Sequence, residues 1–462
     1  MSVDILNIAR GGLLSHQAAI NLTGTNIANV NTPGYTRQRP VFSTSSNQSV
    51  EIANIERIYD RFLGAQINEQ MYNLGYSEAK KDELGRIEMI FNEAGGGGIS
   101  ELLSKFWSAW EDLSANPSGQ AERQALVSVS QSLTSMFRSY SGELLSVQDD
   151  ANTRIRDLTH QVNGYLSDIA DINSKIVRTK SDDIGLNTLK DKRAELLSGL
   201  AEIIDFHYFE DSDGSINAFL SNGMPLVEGN KTWELDVVPV DPAASNPSFY
   251  DIVFKDDPDE EPINSVITNG KLAAFLEVRD TTIGGEEGYM DSLDDLAAAL
   301  VSEVNDQHKL GYDMSQNLGE DFFVFDIDPE VEEARYMKVS DLIIADINKI
   351  AASETVNGDG GNAVSMNSIK DELTMNDYTS TFSSYYSSLV AQVGQDVADA
   401  NRNFDHHTNL MSHLTNRREE ISGVSIDEEM MNLLKYQAGY NASARLFVAA
   451  QELADTLMNL MR

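Results

Sequence analysis

Each end of the chain carries an apolar stripe that repeats every seven residues, and this pairing constrains the fold more than anything between. From Ser2 to about Val30, Leu6, Leu13, Ile20 and Ile27 hold one heptad position, with Ala9 and Val30 beside it. At the other end Ile426, Leu433, Tyr440, Phe447, Ala454 and Met461 do the same, flanked by Met430, Ala444 and Met458. Gly423 breaks whatever precedes, and Ser425 with Glu428 fits a capping box, which predicts a helix of roughly 55 Å from Ser425 to the end. Gly11, Gly12 and Gly24 each cost the first helix roughly 1 kcal/mol. It should be a poor helix alone, and both ends are expected to become ordered only when neighbouring copies supply a partner.

Charge separates these ends from the middle. Residues 1–40 hold Arg10, Arg37 and Arg39 against Asp4 (+2), and residues 424–462 hold Lys435, Arg445 and Arg462 against five acids (−2), so the middle carries the whole net charge of −39. A phosphate backbone or an anionic membrane surface would be repelled, so neither nucleic acid nor membrane is an expected partner. The absence of cysteine removes disulfides and thiolate metal sites. No basic, apolar leader opens the sequence, and no apolar run reaches membrane-spanning length.

Length predicts two to four domains at about 100–200 residues each. Asn31-Thr32-Pro33-Gly34-Tyr35 reads as a turn, with proline presetting φ and glycine accepting positive φ. Residues from about Asp60 to Leu200 are helical by pattern, interrupted at Gly95 to Gly98 and Asn116 to Gly119, and a further helix is expected from about Tyr378 to Glu420. Between Asp205 and Val278 short β-prone runs such as Ile216 to Leu220 and Thr232 to Val238 alternate with turns, followed by a helix near Asp291 to Asn305 and a strand near Phe322 to Ile327. The expected fold is α+β and mainly helical. Paired terminal helices, 1–40 and 424–462, form an inner assembly domain; 41–204 and 378–423 form a discontinuous helical domain; 205–377 is an inserted α+β domain on the outside.

Chemistry is sparse. Asp211-Ser212-Asp213-Gly214 resembles the start of a calcium loop, but glycine stands fourth rather than sixth and Asn222, not glutamate, stands twelfth. An acidic β-turn is the better reading. His406, His407 and His413 cluster with Asp405, yet His406 and His413 lie about 10 Å apart along a helix, too far to share an ion. No catalytic residue, metal or cofactor is assigned, and no enzyme is expected.

The segment Thr25-Asn26-Ile27-Ala28-Asn29-Val30-Asn31-Thr32-Pro33-Gly34-Tyr35-Thr36-Arg37-Gln38 resembles the N-terminal signature of bacterial flagellar rod, hook and hook-associated proteins. Later stretches are similar to the hook-associated protein 1 family within that group. They include Arg57 to Leu63, Phe106-Trp107, Asn116-Pro117, Arg123-Gln124, Asn269 to Leu272, Arg279-Asp280, His308 and the terminal Ser422-Gly423-Val424-Ser425-Ile426-Asp427-Glu428-Glu429. The resemblance implies a structural component of the flagellum, assembled as a junction layer between hook and filament. Its implied partners are copies of itself, the hook protein, a second junction protein and, through it, flagellin. It also implies a type III export apparatus, a dedicated export chaperone and an extracellular place reached without a cleaved signal. Another axial component, such as hook or distal rod protein, is the nearest rival, and a wall-acting enzyme on axial protein ends a more distant one.

Overall fold

The structure is a computed structural model and describes all residues except 1, 46–47, 94, 180–183, 241–248, 258–260, 327–332, 357, 377 and 461–462. Part of the acidic loop expected at Asp256 to Pro262 lies outside the described residues.

Helix α1 (Ser2–Ala28) leads through the Thr32 to Tyr35 turn, in which Tyr35 N–H donates to Thr32 O at 3.2 Å and Gly34 takes φ +78°. Strands β1 (Gln38–Thr44) and β2 (Val50–Arg57) follow as an antiparallel hairpin, where the sequence reading placed the start of the helical domain. The hairpin's alternation is weak because both faces stay largely exposed. Asp60 then caps α2 (Arg61–Ile90), accepting from Phe62 and Leu63 N–H at 2.9 and 3.2 Å. The expected breaks divide α2, α3 (Ile99–Ala115) and α4 (Gln120–Arg178), and α5 (Ile184–Ile203) completes the helical run.

Strands β3 (His207–Glu210), β4 (Ile216–Phe219), β5 (Pro225–Glu228) and β6 (Lys231–Thr232) form an antiparallel meander, and β7 (Leu235–Pro239) pairs with β8 (Tyr250–Phe254). The Asp211 to Gly214 segment is the tight β3–β4 turn, with Gly214 N–H donating to Asp211 O at 3.0 Å. Beyond it come α6 (Gly270–Glu277), a π-helical turn at Val278–Ile283, and α7 (Tyr289–Leu310). Strand β9 (Phe323–Phe325), the short α8 (Glu333–Tyr336), β10 (Met337–Val339), α9 (Asp341–Ala345) and α10 (Gly361–Ser368) lead to α11 (Phe382–Ser422) and α12 (Ile426–Leu460).

The body is organised by α4, whose 59 residues run about 88 Å. Its first half shares a core with α3, α7, α10 and α11, centred on Phe106, Trp110, Phe137 and Phe322. Its second half shares another with α5, α6 and strands β4, β5, β7 and β8. The segment expected as one insertion, 205–377, is therefore divided: residues up to about 276 pack in the second core, whereas Val278 onward belongs to the first. Arg279 sits at the join, fully buried, donating to Asn152 Oδ1 at 2.9 Å and Tyr250 O at 2.7 Å. A buried guanidinium needs such partners, and these bind the two cores across α4.

Candidate assembly interface

Helices α1 and α12 pack antiparallel along a seam of small residues. Among the described residues α1 buries Ala9, Gly12, Ser15, Ala19, Leu22, Thr23 and Asn26, which apart from the adjacent Leu22 and Thr23 follow the 3–4 spacing of one helix face. A Cβ on Gly12 would lie 2.6 Å from Ser443 Oγ, and one on Gly439 would lie 2.6 Å from the His16 ring. Both glycines therefore permit the close approach. The His16 ring is flanked by Phe42 of β1 and Tyr436 of α12, at centroid distances of 5.9 and 6.5 Å, and burial lowers its pKa. Helix α1 thus has a partner within its own chain, in contrast to the expectation that it waits for neighbouring copies.

At the end of this seam the two terminal signatures close on each other. Asn26 Nδ2 donates to Gln38 O at 2.8 Å and to Glu429 Oε2 at 3.0 Å, while its Oδ1 accepts from Tyr35 O–H at 2.8 Å and Gln38 N–H at 3.2 Å. Asn26 and Glu429 are buried, so their mutual satisfaction matters. Burial, with the Asp191 and Glu429 carboxylates nearby, pushes the Tyr35 hydroxyl up to about 12. Around this centre Thr36 N–H donates to Asp191 Oδ2 at 3.2 Å, Asp191 pairs with Arg57 at 2.7 Å, and Asn187 Nδ2 reaches Gln38 Oε1 at 3.2 Å. Burial raises the Asp191 pKa, with Arg57 opposing it. Arg37 N–H donates to Ser422 O at 2.8 Å, and its guanidinium pairs with Glu428. The Ser425 half of the expected capping box is long, at 3.5 Å to Glu428 N, and the Glu428 carboxylate turns to Arg37.

The heptad residues fall beside this seam rather than all within it. Leu6, Leu13, Ile20 and Ile27 are half-buried along the flank of α1. On α12, Leu433, Phe447 and Ala454 are half-buried, whereas Ile426 and Tyr440 are exposed, and Met461 lies outside the described residues. In the signature segment Asn26 is buried, Asn29 and Tyr35 half-buried, and Ala28, Asn31, Thr32, Pro33 and Gly34 exposed. Asn29 Nδ2 donates to Thr25 O at 2.9 Å and Thr32 Oγ1 to Asn29 Oδ1 at 3.1 Å, which ties the end of α1 into the turn. Asn187 and Asp191 escaped sequence reasoning, and Gln38 and Glu429 entered it only as members of the signature segments, with no site role assigned. Glu429 looks like one of several acids at a helix N-terminus, and nothing local reveals a partner across the chain.

A cleft of about 1040 Å³ opens between β2, α5 and β3 and is lined by Arg57, Lys190, Arg193, Tyr208 and Glu210. Its charged groups are engaged in the fold: Lys190 pairs with Glu210 at 2.9 Å, and Arg193 donates to Asn173 Oδ1 at 3.1 Å and Gly214 O at 2.6 Å. His407, from the cluster on α11, meets Gln70 Nε2 through Nδ1 at 2.7 Å. Among the described residues no helix is long and apolar enough to cross a membrane.

Residues 84–323 match the family described as the flagellar hook-associated protein FlgK helical domain. Residues 6–36 match the flagella basal body rod protein family, and 416–460 the C-terminal family of the flagellar basal body rod FlgEFG proteins. The two rod-type matches cover the segments that meet at Asn26 and Glu429. The chain is 28% identical to flagellar hook-associated protein 1 of Bacillus subtilis (strain 168), across 99% of this chain and 98% of that protein. It is 25% identical to the protein of the same name from Escherichia coli (strain K12), across 99% and 100%. The solved flagellar hook junction protein FlgK from Burkholderia pseudomallei superposes with a TM-score of 0.68 at 16% identity, over 77% of this chain and all of that one. That likeness shows the same mainly helical α+β fold.

Proposed function

The chain belongs to the flagellar hook-associated protein FlgK helical-domain family, and from that premise we propose that its terminal pair α1–α12 is the assembly element of a hook–filament junction layer, with the acidic body carried outside it. It is a structural protein of the bacterial flagellum and assembles with other flagellar components. The observation that carries the reading is the reciprocal closure of the two rod-type segments through Asn26, Tyr35, Gln38 and Glu429. One folded unit is thereby built from both chain ends, and the body between them projects from it.

In finer terms, copies pack side by side as a ring or helical layer, since heterologous contacts generate rings or helical arrays. The hook protein lies below, a second junction protein above, and flagellin beyond. Export runs through the flagellar type III apparatus without a cleaved signal and with a dedicated chaperone. Full-length similarity to proteins named hook-associated protein 1 favours this over hook or distal rod protein.

Deleting the gene should leave hooks without filaments and flagellin shed into the medium, and the purified chain should add to isolated hooks. Filaments that form normally in the deletion strain would overturn the reading. Release of soluble fragments from cell-wall material by the full chain would instead support the enzymatic alternative.

A further inference from the structure

Away from α1, α12 presents a continuous exposed face at positions 427, 431, 434, 438, 441, 445, 448 and 452, the 3–4 alternation of a heptad stripe. Met431, Leu434 and Val448 on it are 65, 63 and 54% exposed. Its charges are Asp427, Arg445 and Glu452: one cation between two anions. Elsewhere the cations of this acid-rich chain are commonly held in ion pairs, Lys271 for instance between Glu78 at 3.1 Å and Glu202 at 2.5 Å. Among the described residues Arg445 has no such partner.

Two parallel copies of this face at zero stagger set Arg445 beside Arg445 and each acid beside its own copy. A stagger of seven residues, about 10.5 Å, sets Arg445 against a neighbour's Glu452, and one of eighteen, about 27 Å, sets it against Asp427. The shift of seven also sets Met431 against Ala438 and leaves Leu434 and Val448 against Asn441, whereas the shift of eighteen sets Leu434 against Glu452. We propose that this face of α12 docks on a second copy of the chain with an axial offset, and that Arg445 fixes the offset by engaging an acid of the neighbouring α12. The inference rests on the assembly role assigned above and adds the surface and its register. Opposite charges in apposition and penalised like-charge alignments are the means by which helical interfaces set register.

The test uses the full chain and isolated hooks at ~0.1 M sodium chloride, where repulsion between the acidic bodies is largely screened, with the fraction of capped hooks counted by electron microscopy. Arg445→Glu should lower addition severalfold with unchanged helix content by circular dichroism. One charge-swapped chain, R445E/E452R or R445E/D427R, should regain it, and which one does so identifies the shorter or the longer stagger. Addition by Arg445→Glu at the wild-type rate overturns the inference, and so does loss that neither swap repairs, since Arg445 would then face something other than a copy of this helix. Failure of the unaltered chain to add to hooks overturns the assembly role itself, a result distinct from both.

Discussion

Asn26 and Glu429, 403 residues apart in the chain, share a 3.0 Å hydrogen bond inside a buried pocket that joins the start of α12 to the end of α1. The amide uses its NH₂ group and its oxygen together, serving Gln38, Tyr35 and Glu429 at once. This one side chain links helix, turn, hairpin and opposite terminus.

Asn26→Ala should therefore strand the buried Glu429 carboxylate, at about 1–3 kcal/mol for a buried group left unsatisfied, and deprive the half-buried Tyr35 hydroxyl of its acceptor. Loss should be local. Limited proteolysis is expected to release both terminal segments faster than in the unaltered chain while the two cores stay intact. Equal cleavage rates would show that the small-residue seam alone holds the ends.

The seam's closeness gives a second expectation. Gly439→Leu must displace the His16 ring, which already lies where the first added carbon would go. Overpacking of this kind costs typically about 1–3 kcal/mol. Gly12→Ala should be milder, because the Ser443 hydroxyl it meets can rotate away. Thermal unfolding of the two variants should rank them in that order.

Much of this architecture was legible because it is local. Heptad spacing located α1 and α12, proline and glycine located the turn at Gly34, and glycine breaks located the boundaries of α3 and α4. The β1–β2 hairpin was not, because residues exposed on both faces leave no alternation to read. The division of 205–377 between two cores was hidden for a different reason: both are built on one uninterrupted helix, α4, so no composition change marks the border. Within the site the heptad residues were visible. Glu429 and Asp191 were not, since their value lies in partners brought near only by the fold.

His308 supplies a pH dependence. Its Nδ1 donates to Glu320 O at 2.5 Å and its Nε2 accepts from Ala351 N–H at 2.9 Å, an arrangement only the neutral ring can make. Burial pushes its pKa down to about 4. A depressed folded value means that this stability is complete above the unfolded pKa of about 6.5 and is lost as pH falls from there towards about 4, where the native ring also protonates. The loss is on the order of 3 kcal/mol. Denaturant midpoints measured from pH 7 to 4 should fall, and His308→Leu should be less stable at pH 7 yet fall less steeply. An equally steep fall in the variant would assign the effect to carboxylates instead.

Leu433 and Phe447 are half-buried where α12 meets α1, and Leu433→Asp or Phe447→Asp should block incorporation while the two cores stay folded. Burying such a side chain is worth about 1.5–3 kcal/mol, and an unpaired carboxylate adds a further penalty in every subunit. Normal junctions with filaments in a strain carrying either variant would exclude the seam as an assembly element. Loss of the secreted monomer would point to recognition during export.

The acidic body sets the last expectation, which concerns salt. The ends of the chain are nearly neutral while the middle carries the −39, so copies placed side by side present like charges outside the seam. Each exposed attractive pair at Arg445 is worth only about 0.2–1 kcal/mol and is itself weakened by salt. Repulsion between bodies should therefore dominate the salt response. The Debye length is about 30 Å at 0.01 M and about 10 Å at 0.1 M, so that repulsion reaches across an interface in the first condition and is largely screened in the second. Capping of isolated hooks should accordingly strengthen as sodium chloride rises from ~10 to ~150 mM. Reversing acids on the body, for example with E286K/E287K, should flatten the curve, whereas Arg445→Glu should steepen it by exchanging an attraction for one more repulsion. A curve that is flat or falling for the unaltered chain would mean that the acidic faces point away from one another, or that unlike-charge contacts with the hook outweigh them, and body-to-body repulsion would then have no part in assembly.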